Sequence, residues 1–182
     1  MERRGENSSS CVPGRNNISN ASAITVGVNG TVYIAGTTGW IAGDAGEGTP
    51  CYWQNGVIKT LSLPNNASIG INNNFPIVAG ANGTVYIAGS YTEYPNNNWL
   101  ESINKICYWQ DGVRKDIPVP TGSQFSNVKA IAVETDGTVY ISSYYIDEND
   151  RRIVCYWQGN IRYDIGILEN GEEIWNQFIV IK

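Results

Sequence analysis

The chain has 182 residues, 42% of them apolar and 16% charged, with a formal net charge of −5. That is enough apolar material for a packed core, and a pI near 4.7 argues against nucleic acid as a partner. No apolar run approaches the ~20 residues that a membrane-spanning helix needs, so no transmembrane segment is expected.

Residues 1–20 are polar and rich in Asn and Ser, and they read as a poorly ordered leader or a poorly formed first strand. The opening MERRGENSSSC lacks the apolar stretch of a signal peptide, and ENSSS before Cys11 is not the pattern of a lipidation site. Four short strands are then predicted: Ser22–Val28, Thr31–Ala35, Cys51–Gln54 and Val57–Leu63. Asn29-Gly30 closes the first pair and Asn55-Gly56 the second. Asn-Gly and Asp-Gly between apolar runs are strong hairpin signals, because a type I′ turn needs positive φ at both central residues.

The same order then recurs twice. GTVYIAG at Gly30–Gly36 returns at Gly83–Gly89 and, as GTVYISS, at Gly137–Ser143, after 53 and then 54 residues. CYWQ stands at Cys51–Gln54, Cys107–Gln110 and Cys155–Gln158. Asn82-Gly83, Asp111-Gly112, Asp136-Gly137 and Gly159-Asn160 fall in the matching turns. Ile24, Ile77 and Ile131 match in the first strand of each copy, beside the small residues Gly27, Gly80 and Ala132, which suit an innermost strand. Val32 and Ile34 alternate with Tyr33 and Ala35 in the second strand, so both of its faces are expected to be buried. The fourth strand alternates apolar Val57, Leu61 and Leu63 with polar Thr60, as an outer strand with one solvated face does.

A period near ~50 residues built from short strands is the signature of a β-propeller or a related β array. The predicted fold is therefore all-β, with β-propeller-type four-stranded blades at about 21–70, 71–125 and 126–173. Trp175–Lys182 reads as the first strand of a fourth blade. Three blades and a strand fall short of the 4–8 that usually close a ring. The chain is thus expected to be part of a larger propeller, or to form a homo-oligomer that completes the ring. A continuous solenoid is the alternative fold, opposed by the hairpin turns.

Cys51, Cys107 and Cys155 hold one position in successive copies, a whole blade apart, which exceeds the ~7 Å reach of a disulfide. They read as small buried hydrophobes beside Trp53, Trp109 and Trp157. No CxxC and no histidine is present, so no metal site and no cofactor is expected, and histidine-based triads are excluded within the chain. Asp147, Glu148 and Asp150 lie beside Arg151 and Arg152; this reads as a self-neutralising loop tip, against a cation site or an acid–base pair.

Function is sought in the variable stretches between the second and third strands of each copy, Thr37–Pro50, Ser90–Ile106 and Ser142–Val154. In a propeller they emerge on one face. Their aromatics beside Asn, Asp and Glu suit contact with sugar or protein; the alternative is that they simply cap the blades. Trp40, Tyr94, Trp99 and Tyr145 are the predicted ligand contacts, and no catalytic residue is assigned. The leading reading is a non-enzymatic module that binds glycan or protein. A self-assembling scaffold closed by strand exchange comes second, and a carboxylate enzyme using Asp44, Glu93 and Asp147 last.

The units GTVYIAG…CYWQNGV and GTVYIAG…CYWQDGVRKDIPVP resemble the repeats of bacterial β-propeller proteins in which TVYVAG and CYWKNG motifs alternate. The resemblance covers Ala21 to about Ile167. It implies an exported or cell-surface protein, of the kind found as lipoproteins in spirochaetes and Bacteroidota, and it implies no particular activity.

Overall fold

Each copy of the repeat folds into its own antiparallel sheet. The computed structural model describes residues 16–42, 45–69, 73–120 and 125–168. Sheet one runs β1 (Asn16–Val26), β2 (Val32–Ala42), β3 (Ala45–Gln54) and β4 (Val57–Thr60), neighbours in chain order. Sheet two contains β5 (Ala67–Ser68) and β6 (Ile77–Ala79), both paired with β7 (Val85–Glu93), then β8 (Ile103–Gln110) and β9 (Val113–Ile117). Sheet three repeats the first order with β10 (Phe125–Val133), β11 (Val139–Ile146), β12 (Arg152–Gln158) and β13 (Ile161–Leu168). The protein is all-β. No helix of the described residues is long and apolar enough to cross a membrane.

β1 begins at Asn16, inside the stretch read as a leader. Cys11, Asp44 and the strand expected at Trp175–Lys182 lie outside the described residues.

The six turns fall where the sequence places them, but they are of three kinds. At Asn55-Gly56 and Asp111-Gly112 both central residues have positive φ, as a type I′ turn requires. At Gly159-Asn160 only the glycine does, the pattern of type II′. The turns that open each sheet are not type I′. Gly30 N–H donates to Gly27 C=O at 2.9 Å, Gly27 N–H donates to Thr31 C=O at 2.9 Å, and positive φ falls on Gly30 alone. This is a three-residue hairpin with a glycine bulge, and Asn29 takes part through its side chain, which accepts from Thr31 N–H at 3.1 Å. Asn82 and Asp136 do the same for Thr84 and Thr138. Here an Asx residue is selected for its carbonyl rather than for its tolerance of positive φ.

The expected loops are largely strand. β2 and β3 stay paired from Tyr33↔Gln54 to Ala42↔Ala45, through most of the stretch read as a loop at Thr37–Pro50. Ser90↔Ile106 to Glu93↔Ile103 and Ser142↔Tyr156 to Ile146↔Arg152 extend the other two hairpins likewise. Backbone pairing needs no apolar alternation, which is why these arms carry no strand pattern in the sequence. Irregular chain remains at 94–102 and 147–151.

The sheets stack face to face, and strict period-two alternation assigns each side chain to one of two interfaces. One face of sheet one, with Tyr33, Ala35 and Tyr52, packs on the Val85, Ile87, Cys107 and Trp109 face of sheet two. The opposite face of sheet two, with Tyr86, Ala88 and Ile106, packs on Val139, Ile141, Cys155 and Trp157 of sheet three. Both faces of β7 are therefore buried, as expected. In β2 only one face is, because no sheet lies beyond it. For the same reason Trp109 and Trp157 are core while Trp53 is only half-buried.

Candidate functional site

The β7–β8 arm is the most elaborated of the three. Its nine connecting residues form two single 3-10 turns, Pro95–Asn97 and Trp99–Glu101. Three hydrogen bonds tie the arm down. Tyr94 N–H donates to Asn66 C=O at 2.8 Å, the Asn66 amide returns a bond to Tyr94 C=O at 3.1 Å, and the Tyr94 hydroxyl meets Ser68 Oγ at 2.9 Å. Tyr94, a predicted contact, thus anchors the loop to the segment beside β5.

The run Pro95-Asn-Asn-Asn then reverses the chain. Asn96 and Asn97 adopt φ of 53° and 57°, a region that asparagine tolerates better than other non-glycine residues. Asn98 caps the second turn, its side chain accepting from Leu100 N–H at 3.1 Å. The result holds Trp99 and Leu100 out in solvent, at 73% and 72% of full exposure. Glu101 and Ser102 beside them are exposed. Below, Lys105 pairs with Glu93 at 2.6 Å, and Thr92 Oγ1 donates to Asn104 Oδ1 at 3.0 Å. An indole on a hydrogen-bonded frame, rimmed by amides and a carboxylate, offers a flat apolar platform with polar groups at its edge.

The other predicted contacts fare differently. Trp40 lies in β2 with its backbone opposite Asn17 and Glu47; its side chain is outside the described residues. Tyr145 is not a free surface ring. It is 7% exposed, its hydroxyl donates to Asp164 Oδ2 at 3.4 Å, and the Arg162 guanidinium lies 4.7 Å from its ring centre. Tyr91 in sheet two has the same partners, donating to Asp116 at 3.1 Å with Arg114 over its ring at 5.5 Å. The two rings belong to a repeated Tyr–Arg–Asp packing device. Its trace was present in the sequence as Arg-x-Asp in the last strand of the copies that carry these tyrosines, Arg114–Asp116 and Arg162–Asp164, and absent from the first copy. Of the four predicted contacts, the structure therefore displays Trp99, uses Tyr94 as its support and buries Tyr145. Leu100 is the exposed partner that sequence reasoning passed over.

Of the carboxylates weighed for catalysis, Glu93 and Asp147 are already engaged, and Asp44 lies outside the described residues. Glu93 pairs with Lys105. Asp147 accepts from Asn149 N–H at 3.0 Å and Arg151 N–H at 2.8 Å, and pairs with the Arg151 guanidinium at 2.7 Å. The Arg151 side-chain bond, with the two backbone donors, holds the Asp147 carboxyl below its usual range. Among the described residues no group of three His, Cys, Asp or Glu could hold a metal ion. The thiols of Cys51, Cys107 and Cys155 are free and buried. Burial pushes Cys51 and Cys155 up to about 11 and Cys107 well above its ordinary value, so none is a ready nucleophile.

No family model matches the chain, and no curated protein sequence matches it. Solved structures do. A fucose lectin from Kordia zhangzhouensis, in complex with methyl-fucoside, is similar with a TM-score of 0.53 and 11% identity, over 80% of this chain and 98% of the lectin. A Hadza microbial sialidase follows with a TM-score of 0.49 and 9% identity, over 80% of this chain and 37% of that one. A polysaccharide lyase gives 0.43 and 14%, over 92% of this chain and 40% of the lyase. At these identities the lectin likeness bears on the fold alone.

Proposed function

We propose that the protein is a non-enzymatic glycan-binding module of β-propeller type, and that Trp99 is its principal sugar-stacking platform. One observation carries the reading: a large aromatic side chain stands in solvent on a loop that capping and cross-strand hydrogen bonds have already ordered. A loop ordered before binding loses little entropy when a ligand stacks on its exposed ring. The apolar face of a pyranose complements an indole, while Asn97, Glu101 and Ser102 can meet its hydroxyls. The fold of a fucose lectin makes fucosides the first sugars to try. The motif resemblance to exported propeller proteins fits a module at the cell surface or outside the cell.

A glycan array probed with the wild-type chain and with Trp99→Ala tests this. The expected result is a defined set of bound glycans in the wild type, with signals at least tenfold lower in Trp99→Ala. Equal signals from both proteins would contradict the reading.

A further inference from the structure

The two outer faces of the array are unlike each other, and each matches a face that is buried inside it. On sheet one the outward face carries Ile24, Val26, Val32, Ile34, Trp53 and Ile58. The same places in sheet two hold Ile77, Val85, Ile87 and Trp109, and in sheet three Ile131, Val139, Ile141 and Trp157, all buried. Ile24 is 65% exposed where Ile77 is 9%. A groove of about 340 Å³ lies on this bare face, lined by Ser19, Ala21, Val32, Ile34, Trp53 and Gly56. On sheet three the opposite kind of face carries Ala132, Tyr140 and Tyr156, all half-buried, with Ser142 and Val154 buried between them. These places correspond to Val78, Tyr86, Ala88, Ile106 and Tyr108, the face of sheet two that covers sheet three.

What covers the first kind of face is therefore visible twice in the molecule: it is always the second kind. The geometry points to a second copy of this chain as the occupant, its sheet three laid on sheet one of the first copy and, symmetrically, the reverse. Such a head-to-tail contact is heterologous, and it closes when the rotation per sheet completes a circle. Two copies give six sheets, within the usual 4–8, whereas three copies give nine. The inference rests on the propeller reading above, but not on glycan recognition. Each contact repeats the apolar packing of the internal interfaces and would cover the exposed Ile24 and Val26 and the half-buried Trp53.

Light scattering on a sizing column tests it with the full chain and two surface substitutions. Wild type is expected near 40 kDa, twice the 20.0 kDa of one chain. Ile24→Glu and Ala132→Glu, on the two different faces, are each expected at the single-chain mass. Mixed together they should recover a 1:1 pair, because one of the two contacts between them then keeps both of its native faces. Val26→Glu and Tyr156→Glu serve as second substitutions on the same faces, with circular dichroism to show that each variant is folded. A monomeric wild type would overturn the proposal. So would a dimer that Ala132→Glu leaves intact, which would mean that sheet one pairs with itself, or a ladder of longer polymers. None of these substitutions touches the Trp99 loop, so loss of the dimer with unchanged glycan signals would separate this proposal from the previous one.

Discussion

Sheet one and sheet two are written with almost the same residues, yet they meet opposite environments. Val32, Ile34 and Trp53 repeat Val85, Ile87 and Trp109, but the second set lies buried under a neighbouring sheet, whereas Val32 is exposed and Ile34 and Trp53 are only half-buried. Burial here belongs to the stack, not to the individual repeat, as expected where each unit hides its apolar face only against the next. The comparison also separates framework from function. Positions that recur in all copies are explained by packing, and the Trp99 loop, which recurs in none, is not.

The comparison breaks most sharply at the tryptophans. Trp109 is fully buried, its ring lies 6.1 Å from that of Phe75, and its indole N–H donates to Ser62 C=O at 3.0 Å. Trp109→Ala is expected to cost about 3–5 kcal/mol in urea unfolding. Trp53→Ala, at low protein concentration, should cost less than half of that. Equal losses would mean that sheet one is covered in the single chain.

Alkaline unfolding gives an effect of a few kcal/mol. The Cys51 and Cys155 thiols are raised by burial from 9.0 to about 11. The folded state therefore favours the neutral thiol, and this contribution is complete below pH 9.0 and lost as pH rises towards about 11. Stability measured from pH 8 to 11 should fall across that window, and a Cys51→Ala, Cys155→Ala double variant should show a shallower fall. An unchanged slope in the double variant would contradict the burial of these thiols.

Glycines sharpen the comparison further. A Cβ on Gly89 would come within 2.6 Å of the Phe75 ring and 3.1 Å of Trp109. Sheet three has Ser143 at this place, its hydroxyl donating to Asn127 C=O at 2.9 Å. Gly89→Ala should destabilise by about 1–3 kcal/mol through overpacking, whereas Ser143→Ala should cost about 1 kcal/mol, the worth of one hydrogen bond. Chemical denaturation of the two variants distinguishes them. The smallest difference concerns Trp157, whose buried indole N–H meets no oxygen or nitrogen acceptor among the described residues, unlike that of Trp109. Trp109→Phe is expected to cost about 1 kcal/mol more than Trp157→Phe in thermal melts.

The strand order, the turn positions and the buried cysteines were legible in the sequence because they repeat, and three copies of one pattern correct one another. The turn types were not, because Asn-Gly serves equally as a type I′ turn and as an Asx residue before a glycine bulge. The long β2–β3 arm was hidden because ladder hydrogen bonds leave no trace in side-chain pattern. For the candidate site, Trp99 could be singled out as an aromatic outside the repeat. Tyr145 looked the same, and only its pairing with Arg162 and Asp164 across strands reveals it as core.

The most direct test of the account is a fluorescence titration with fucosides and the best glycans of the array. The account predicts a saturable change in tryptophan emission in the wild type that is abolished in Trp99→Ala, with the remaining five tryptophans silent. An identical saturable change in Trp99→Ala would place the ligand elsewhere and contradict the central claim.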